Sequence, residues 1–292
     1  MPELPEVEAL VRYLDLRTSG SQIARVEQAS FAALKTVQPQ LGDLVGRTVV
    51  GWRRRGRYLC LETETNWLVV HLARSGWVRW YDDLPVGPVR LGRGPLALRM
   101  EFGLDGDAQR GPGIDLTEAG TEKRLAIWVV EHPERIEAVA SLGVDPLDQS
   151  FTAGTLAKLL GHAPENIKSA LTNQTLLAGV GNAYSDEVLH AARLSPFKPA
   201  QNLSEKEVIA LHAALVGLLT TAVAERTGFE AGGLKREKRW AMRVHGRTGL
   251  ACLTCGDTIC HVAFATKSLQ YCPTCQTKGR RLADRRLSRL LK

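Results

Sequence analysis

Two closely spaced cysteine pairs near the carboxyl end place the strongest constraint on the fold. Cys252 and Cys255 form one Cys-x-x-Cys pair, and 16 residues separate it from a second pair, Cys272 and Cys275. Two such pairs at this separation are typical of a tetrahedral site in which four thiolates bind one zinc ion. A hairpin this small cannot hold itself together by burial alone, so the metal would be structural. The spacing predicts one structural Zn²⁺ per chain, with an iron site as the alternative.

The clustering of the cysteines also argues against a disulfide framework. The chain has six cysteines, and five of them lie between positions 252 and 275. A framework of disulfides would spread its cysteines along the chain. Cys260 has no second cysteine at ligand spacing, and His261 is an alternative ligand to one of the four cysteines.

Basic charge is concentrated at the same end of the chain. Residues 232–292 contain 14 Lys or Arg and 3 Asp or Glu, a net charge of +11, whereas the remainder carries −4. This asymmetry predicts a polyanionic partner, with nucleic acid first, and a merely soluble basic surface is the alternative. The run Arg53–Arg55 is expected to be a solvated strand edge, the usual place for consecutive charges.

The amino-terminal residues 1–6, Met-Pro-Glu-Leu-Pro-Glu, carry candidate chemistry. If Met1 is removed, the nitrogen of Pro2 becomes a free amine, which titrates at about 7.7–8, far below a lysine. Such an amine attacks an aldehyde carbon to form a Schiff base, and Glu3 supplies a carboxyl for proton transfer. The alternative is an ordinary helix start, because Pro5 suits the first helical turn and Glu6 is favourable there.

The length and periodicity predict a chain of two or three domains. Strands are predicted near residues 48–52, 58–61, 67–72 and 96–102, and helices near 152–161, 164–173, 183–193 and 204–226. No run approaches the length of a membrane span, and the start lacks a signal pattern. We therefore expect a cytoplasmic protein.

Three segments, in order along the chain, resemble the formamidopyrimidine-DNA glycosylase and endonuclease VIII family. They are residues 1–8 (Met-Pro-Glu-Leu-Pro-Glu-Val-Glu), Lys168–Glu187 and Cys252–Gln276. The resemblance implies an α+β fold with a β-sandwich-like amino-terminal lobe that begins with a catalytic helix. A helical lobe with a helix–two-turn–helix element and a four-cysteine zinc hairpin would follow. The implied domains are 1–140, 141–246 and 247–279, with a basic tail at 280–292.

The resemblance also implies a function in base-excision repair. The protein would remove damaged bases from double-stranded DNA and cut the strand at the abasic site. It would act as a monomer, without a membrane partner, and would be associated with the nucleoid through its binding to DNA. Pro2 would be the nucleophile, Glu3 would protonate the sugar ring oxygen, and Glu6 would support the geometry of the amine. Lys168 and Asn182 match the family residues that clamp backbone phosphates on either side of the lesion.

Other DNA-contact positions depart from the family pattern. Arg57, in Gly-Arg-Tyr, stands where the family has a lysine, and Arg74, in His-Leu-Ala-Arg-Ser-Gly, stands where a methionine enters the DNA stack. Lys267 stands where an arginine lies at the tip of the zinc hairpin, and residues 121–126 lack the aromatic wedge of the family. Arginine grips phosphate bidentately but cannot act as an amine or shed a proton.

Two further functions are therefore kept open. One is a non-catalytic or altered-specificity protein of the same fold that binds damaged DNA. The other is a zinc-ribbon adaptor for nucleic acid, which would explain the carboxyl end of the chain but not residues 1–6.

Overall fold

The computed structural model describes residues 1–92, 94–103, 111–234, 242–263 and 268–282. The chain divides into two compact units. The first unit comprises Met1–Ser141 and Glu225–Lys235, and the second comprises Leu142–Ala224 and Arg236–Lys292. Strands dominate the first unit and helices the second, which confirms the predicted α+β class.

Helix α1 (Leu4–Thr18) opens the first unit. Glu3 precedes the helix in an extended conformation, and its backbone N–H donates to the Glu6 carboxylate at 2.8 Å, which satisfies one of the amides left over at a helix start. Val7, Leu10 and Leu14 recur at helical spacing and are fully buried. The chain start is therefore fixed by the same helix that contributes to the core.

Two four-stranded antiparallel sheets form the body of the first unit. The strands are β1 (Ile23–Gln28), β2 (Val49–Arg55), β3 (Tyr58–Thr63), β4 (Trp67–His71), β5 (Gly76–Tyr81), β6 (Leu96–Phe102), β7 (Gly113–Glu118) and β8 (Ala126–Val130). One sheet has the order β1-β6-β7-β5, and the other has the order β2-β3-β4-β8. A short helix, α2 (Glu137–Ala140), follows the last strand.

A single core joins the two sheets and α1. Leu59 and Val70 from one sheet and Met100 and Ile114 from the other belong to the same buried cluster as Leu10 of the helix. Each sheet thus buries one face in this core, which is the β-sandwich-like arrangement that was predicted.

The second unit contains most of the helices and one small hairpin. Its elements are α3 (Ala153–Gly161), α4 (Ile167–Thr172), α5 (Asn182–Ala191), α6 (Glu205–Arg226, whose last two residues belong to the first unit), β9 (Cys260–Ala263), β10 (Ser268–Tyr271) and α7 (Pro273–Thr277). The four longest agree with the predicted helices to within a few residues. Strands β9 and β10 pair antiparallel in register from Cys260 with Tyr271 to Ala263 with Ser268.

Helix α6 corrects the prediction that no stretch approaches the length of a membrane span. By length and composition alone, the helix is long and apolar enough to cross a membrane. Its most apolar 18-residue stretch has a mean hydropathy of 1.8. Core helices of globular proteins share these features, and Leu211, Leu215 and Leu219 form a fully buried stripe on one face of α6. We interpret it as a packing helix of the second unit.

Candidate functional site

The predicted catalytic residues lie at the start of α1 and are all buried. Glu3 is 4% exposed and Glu6 is 1% exposed, and Pro2 is buried beside them. Glu6 is held from two sides. Its Oε2 accepts the N–H of Glu3, and its Oε1 lies 3.4 Å from Nε of Arg226, which is itself 3% exposed. This ion pair offsets the cost of burying the Glu6 carboxyl group next to Pro2.

Nothing in the sequence indicated Arg226. It lies in the last turn of α6, where a basic residue ordinarily faces solvent and complements the helix dipole. Its burial against Glu6 follows from the path of the chain, which returns residues 225–235 to the first unit. Sequence spacing carries no signal for such a pair.

Arg57 joins the same neighbourhood from the turn between β2 and β3. Gly56 adopts a positive φ of 54°, which lets Gly56 and Arg57 close the hairpin in two residues. The Arg57 guanidinium lies 3.8 Å from the thioether sulfur of Met1. Burial lowers the pKa of Arg57, and the negative charges of Glu3 and Glu6 oppose that effect. A guanidinium stays protonated under these conditions, so a fixed cation stands at the chain start.

This cation has a chemical consequence for an amine at Pro2. A neighbouring positive charge disfavours a second one and lowers the pKa of an amine. The negative charges of Glu3 and Glu6 in the same cluster act in the opposite direction on such an amine. The structure therefore brings Pro2, Glu3, Glu6 and Arg57 together, whereas the sequence had indicated Arg57 only as a DNA contact.

His71 and the following turn present Arg74. The His71 ring packs against the Tyr58 ring with 4.8 Å between centroids. Burial and the charge of Arg57 lower the pKa of His71 from 6.5 to about 4, so the imidazole is neutral at physiological pH. In the turn, a Cβ on Gly76 would lie 2.1 Å from the Leu72 carbonyl oxygen, so only glycine fits there. Arg74 itself is exposed and makes no hydrogen bond or ion pair within the described part of the chain.

In the second unit, one face of α5 organises the predicted phosphate contacts. Asn182, Asp186 and His190 follow one another at intervals of four residues and so share this face. Lys168 of α4 is buried, and its Nζ donates to Asp186 Oδ1 at 2.5 Å and to the Asn182 carbonyl at 2.8 Å. The structure thus places the Lys168 ammonium beside the backbone of Asn182. The buried carboxylate that holds the ammonium group was not anticipated.

The turn before α5 is held by a side chain, and Asn182 does not cap the helix. The residue at the helix N-cap is Gly181, not Asn182, and Asn182 is the first helical residue. The Gln174 side chain accepts the N–H of Gly179 and donates to the carbonyl of Val180, both at 2.9 Å. The Oδ1 atom of Asn182 is buried and has no hydrogen-bond partner among the described residues. The side chain is therefore not used as a cap.

Two adjacent carboxylates on α5 also anchor the segment that leads into the cysteine hairpin. Asp186 Oδ2 lies 2.8 Å from Nδ1 of His245. Glu187 is 5% exposed and accepts the backbone N–H groups of Arg243, Val244 and His245 at 2.8–2.9 Å. A carboxylate that satisfies three backbone amides fixes that segment firmly. The one signal available in the sequence is the adjacent acidic pair Asp186 and Glu187 in the middle of a predicted helix.

The four predicted metal ligands converge at the base of the hairpin. The sulfur atoms of Cys252, Cys255, Cys272 and Cys275 all lie within 4.8 Å of one another, with separations of 3.3 Å for Cys255–Cys272 and 3.9 Å for Cys252–Cys275. Bonds of about 2.3 Å to a tetrahedral zinc ion require sulfur separations of roughly 3.8 Å. The donor set and its spacing therefore fit one zinc ion.

Further donors surround these sulfurs. Burial raises the pKa of the Cys252 thiol, but N–H groups of Thr254, Cys255 and His190 outweigh it and bring the pKa to about 6. A thiol that ionises readily is a ready metal ligand. Cys260 and His261 are not members of the cluster. Lys267 lies outside the described residues.

Comparisons with known proteins match both units. A model described as the formamidopyrimidine-DNA glycosylase N-terminal domain matches residues 1–111, and one described as the formamidopyrimidine-DNA glycosylase H2TH domain matches residues 142–231. The chain is 34% identical over 289 residues to the formamidopyrimidine-DNA glycosylase of Thermosynechococcus vestitus, covering 94% of this chain and 97% of that protein. It is 53% identical over 152 residues to an uncharacterized formamidopyrimidine-DNA glycosylase-like protein of Mycobacterium tuberculosis, covering 52% and 95%.

Solved structures show the same similarity. A Lactococcus lactis formamidopyrimidine-DNA glycosylase bound non-covalently to DNA with an abasic site matches with a TM-score of 0.79 and 28% identity, covering 94% of this chain and 99% of that one. A complex of the Lactococcus lactis enzyme with DNA that contains FAPY-dG matches with a TM-score of 0.78 and 27% identity, covering 94% and 100%.

Proposed function

The chain belongs to the formamidopyrimidine-DNA glycosylase family, and we propose that it removes damaged bases from double-stranded DNA and cuts the strand through the nitrogen of Pro2. The observation that carries the proposal is the cluster at the chain start. Pro2, two buried carboxylates and the Arg57 cation lie together, which is the combination that amine catalysis requires.

The chemistry proceeds in two stages once Met1 has been removed. The Pro2 nitrogen attacks C1′ of the sugar, the C1′–base bond breaks, and the base leaves with its electron pair and takes up a proton. Glu3 then protonates the ring oxygen as the C1′–O4′ bond opens, which leaves an iminium between Pro2 and C1′. The iminium acidifies the C2′ hydrogen, and loss of this proton expels the 3′ phosphate. Glu6, held by Arg226, keeps the segment in place.

The remaining predicted residues receive DNA-binding and structural roles. Arg57, Arg74, Lys168, Asn182 and Lys267 contact the DNA, mostly at its phosphates, which set register without reading bases. Cys252, Cys255, Cys272 and Cys275 hold a zinc ion that ties the hairpin together. We propose that the protein works as a monomer on chromosomal DNA in the cytoplasm, with domains at 1–140, 141–246 and 247–279 and a basic tail at 280–292.

Borohydride trapping on a duplex with one abasic site tests this proposal. Reduction of the iminium gives a stable protein–DNA adduct for the wild type, after mass spectrometry has confirmed the loss of Met1. Replacement Pro2→Gly should lower the adduct yield at least about a hundredfold, because the nucleophile has changed. Pro5→Ala is the matched control, since it alters a buried proline in the same segment without touching the amine.

Arg57 also supports a second candidate, a protein of this fold that binds damaged DNA without catalysis. A guanidinium at a position where the family has lysine cannot release a proton. Tight binding to the abasic duplex with no adduct, in protein shown to lack Met1, would favour this second candidate and reject the first.

A further inference from the structure

His190 faces the four-cysteine site from helix α5. Its Nε2 atom lies 3.4 Å from the sulfur of Cys252, and the side chain is only 4% exposed. The residue sits on the same face of α5 as Asn182 and Asp186, about two turns after Asn182 and one turn after Asp186. One helix face therefore carries a predicted DNA contact at one end and a contact to a predicted metal ligand at the other.

The surroundings of His190 determine which ring nitrogen carries the proton. Nδ1 is buried and has no hydrogen-bond partner among the residues that the structure describes. A proton on Nδ1 would bury an unsatisfied donor and would also turn the Nε2 lone pair toward a thiolate. A proton on Nε2 avoids both penalties, because it points at the Cys252 sulfur and leaves only an acceptor without a partner. The geometry therefore favours a ring that donates from Nε2 to the Cys252 sulfur.

His190 is placed as a neighbour of the ligands and not as a ligand. The set of donor atoms that all lie within 4.8 Å of one another contains the four sulfurs and does not contain a nitrogen of His190. Four thiolates already complete a tetrahedral zinc shell. A group that hydrogen-bonds to a coordinated sulfur belongs to the outer shell, which orients the ligand and tunes its charge.

Given the structural zinc ion proposed above, we propose that His190 protects this site by donating an N–H···S hydrogen bond to the Cys252 thiolate. The bond stabilises negative charge on the sulfur and makes its lone pairs less available to oxidants, alkylating agents and protons. Cys252 leaves the metal less often as a result. Because the donor is part of α5, retention of zinc depends on the helix that positions Asn182 and Asp186.

Zinc release from the intact chain measures this protection. The purified protein is treated with hydrogen peroxide or N-ethylmaleimide, and the released zinc is followed with a chelating dye. His190→Phe keeps an aromatic ring but removes the donor, and it should release zinc about tenfold faster, in line with the usual effect of losing an outer-shell partner. His190→Gln retains an N–H at the same distance along the side chain and should stay close to the wild type.

A second histidine provides the matched control. His212 of α6 has its Nε2 atom 2.9 Å from the carbonyl of Phe151 and does not contact the cysteines. His212→Phe should leave zinc release unchanged. Alkylated peptides then identify the sulfur involved. In His190→Phe, the fraction of Cys252 that is alkylated early should rise relative to the fraction of Cys255. A general loss of structure around the site would instead increase the alkylation of all four cysteines together.

A measurement on the wild type keeps the proposal testable if the variants fold poorly. In protein loaded with cadmium-113, an N–H···S bond transmits a scalar coupling from the metal to the Nε2 proton of His190. The coupling should be present. Its absence, or zinc release from folded His190→Phe at the wild-type rate, would overturn the hydrogen bond. Metal analysis that finds no zinc in the wild type would instead reject the proposed metal site.

Discussion

The four sulfur atoms in the second unit come from 24 consecutive residues, Cys252–Cys275. By contrast, the carboxylates beside Pro2 in the first unit have cationic neighbours from distant parts of the chain, namely Arg57 in a hairpin turn and Arg226 at the end of α6. The first arrangement depends on local spacing and on a metal, whereas the second depends on the fold of the whole unit. Substitutions at the two sites should therefore have different measurable effects.

Loss of a metal ligand should have the largest effect and should stay within the second unit. Cys272→Ser removes a buried sulfur that also caps α7. Structural zinc contributes on the order of 10 kcal/mol to folding of such a hairpin, so we expect loss of the zinc and rapid proteolysis of residues 247–279. The unfolding transition of the first unit should not move.

Cys260→Ser is the control for this experiment. It removes a cysteine from the same hairpin that lies outside the four-sulfur cluster. Its zinc content should equal that of the wild type. Full zinc occupancy in Cys272→Ser would contradict the assignment of the ligands.

Disruption of the buried pair should destabilise the first unit. Arg226→Gln leaves the Glu6 carboxylate buried without its cation, which typically costs about 3–5 kcal/mol in the free energy of unfolding. Urea denaturation checks this value. Arg135→Gln breaks an exposed pair with Glu131 and should cost less than about 1 kcal/mol. Equal losses in the two variants would show that Arg226 and Glu6 do not depend on each other.

His71 should make the first unit sensitive to acid. Its pKa is about 4 in the folded protein and 6.5 ordinarily, so the unfolded chain binds more protons between these values. The contribution of His71 to the free energy of unfolding is fully present above pH 6.5 and is lost as the pH is lowered toward 4. Each pKa unit is worth about 1.4 kcal/mol, and partial exposure of the ring reduces the total to about 2 kcal/mol.

Stability measured against pH tests this assignment. His71→Gln should remove that part of the acid sensitivity, whereas His132→Gln, at an exposed histidine, should leave it intact. An unchanged pH profile in His71→Gln would show that the ring is protonated as easily in the folded protein as in the unfolded chain.

Loss of Lys168 should have the smallest effect on function, a modest loss of DNA affinity. It also costs stability, because the buried Asp186 carboxylate loses its ammonium partner. Lys168→Met removes one proposed phosphate contact, so affinity should fall about tenfold and the salt dependence of log K by about one unit. Lys158→Met removes an exposed lysine of α3 and should change neither. Fluorescence anisotropy at several salt concentrations measures both quantities. An equal loss of DNA affinity in both variants would mean that the affinity depends on the net charge of the protein and not on a contact made by Lys168.

The comparison between the two sites also explains what the sequence revealed. The spacing of the four cysteines predicted the metal ligands, and the helical periodicity predicted α3 to α6, because both patterns are local in the sequence. Strands β7 and β8 were not predicted. In β7, Asp115 makes a buried ion pair with Arg99 of β6 at 2.7 Å, so a charged residue occupies a position that a simple pattern assigns to the surface.

A second paired charge is buried where the sequence pattern predicted a solvated one. The run Arg53–Arg55 was expected to be solvated, yet the Arg54 side chain is only 7% exposed and lies 2.8 Å from Glu8. Arg226, Asp186 and His190 are further examples of polar residues whose partners are far away in sequence. Such pairs depend on the tertiary fold, and no spacing rule reports them.

Mapping of the borohydride-trapped adduct shows directly whether the Pro2 nitrogen is the nucleophile. After proteolysis, mass spectrometry locates the residue that carries the sugar remnant. The account predicts that the modified peptide begins at Pro2 and that the remnant is on its nitrogen. A remnant on a lysine side chain, or on a peptide that still contains Met1, would contradict it.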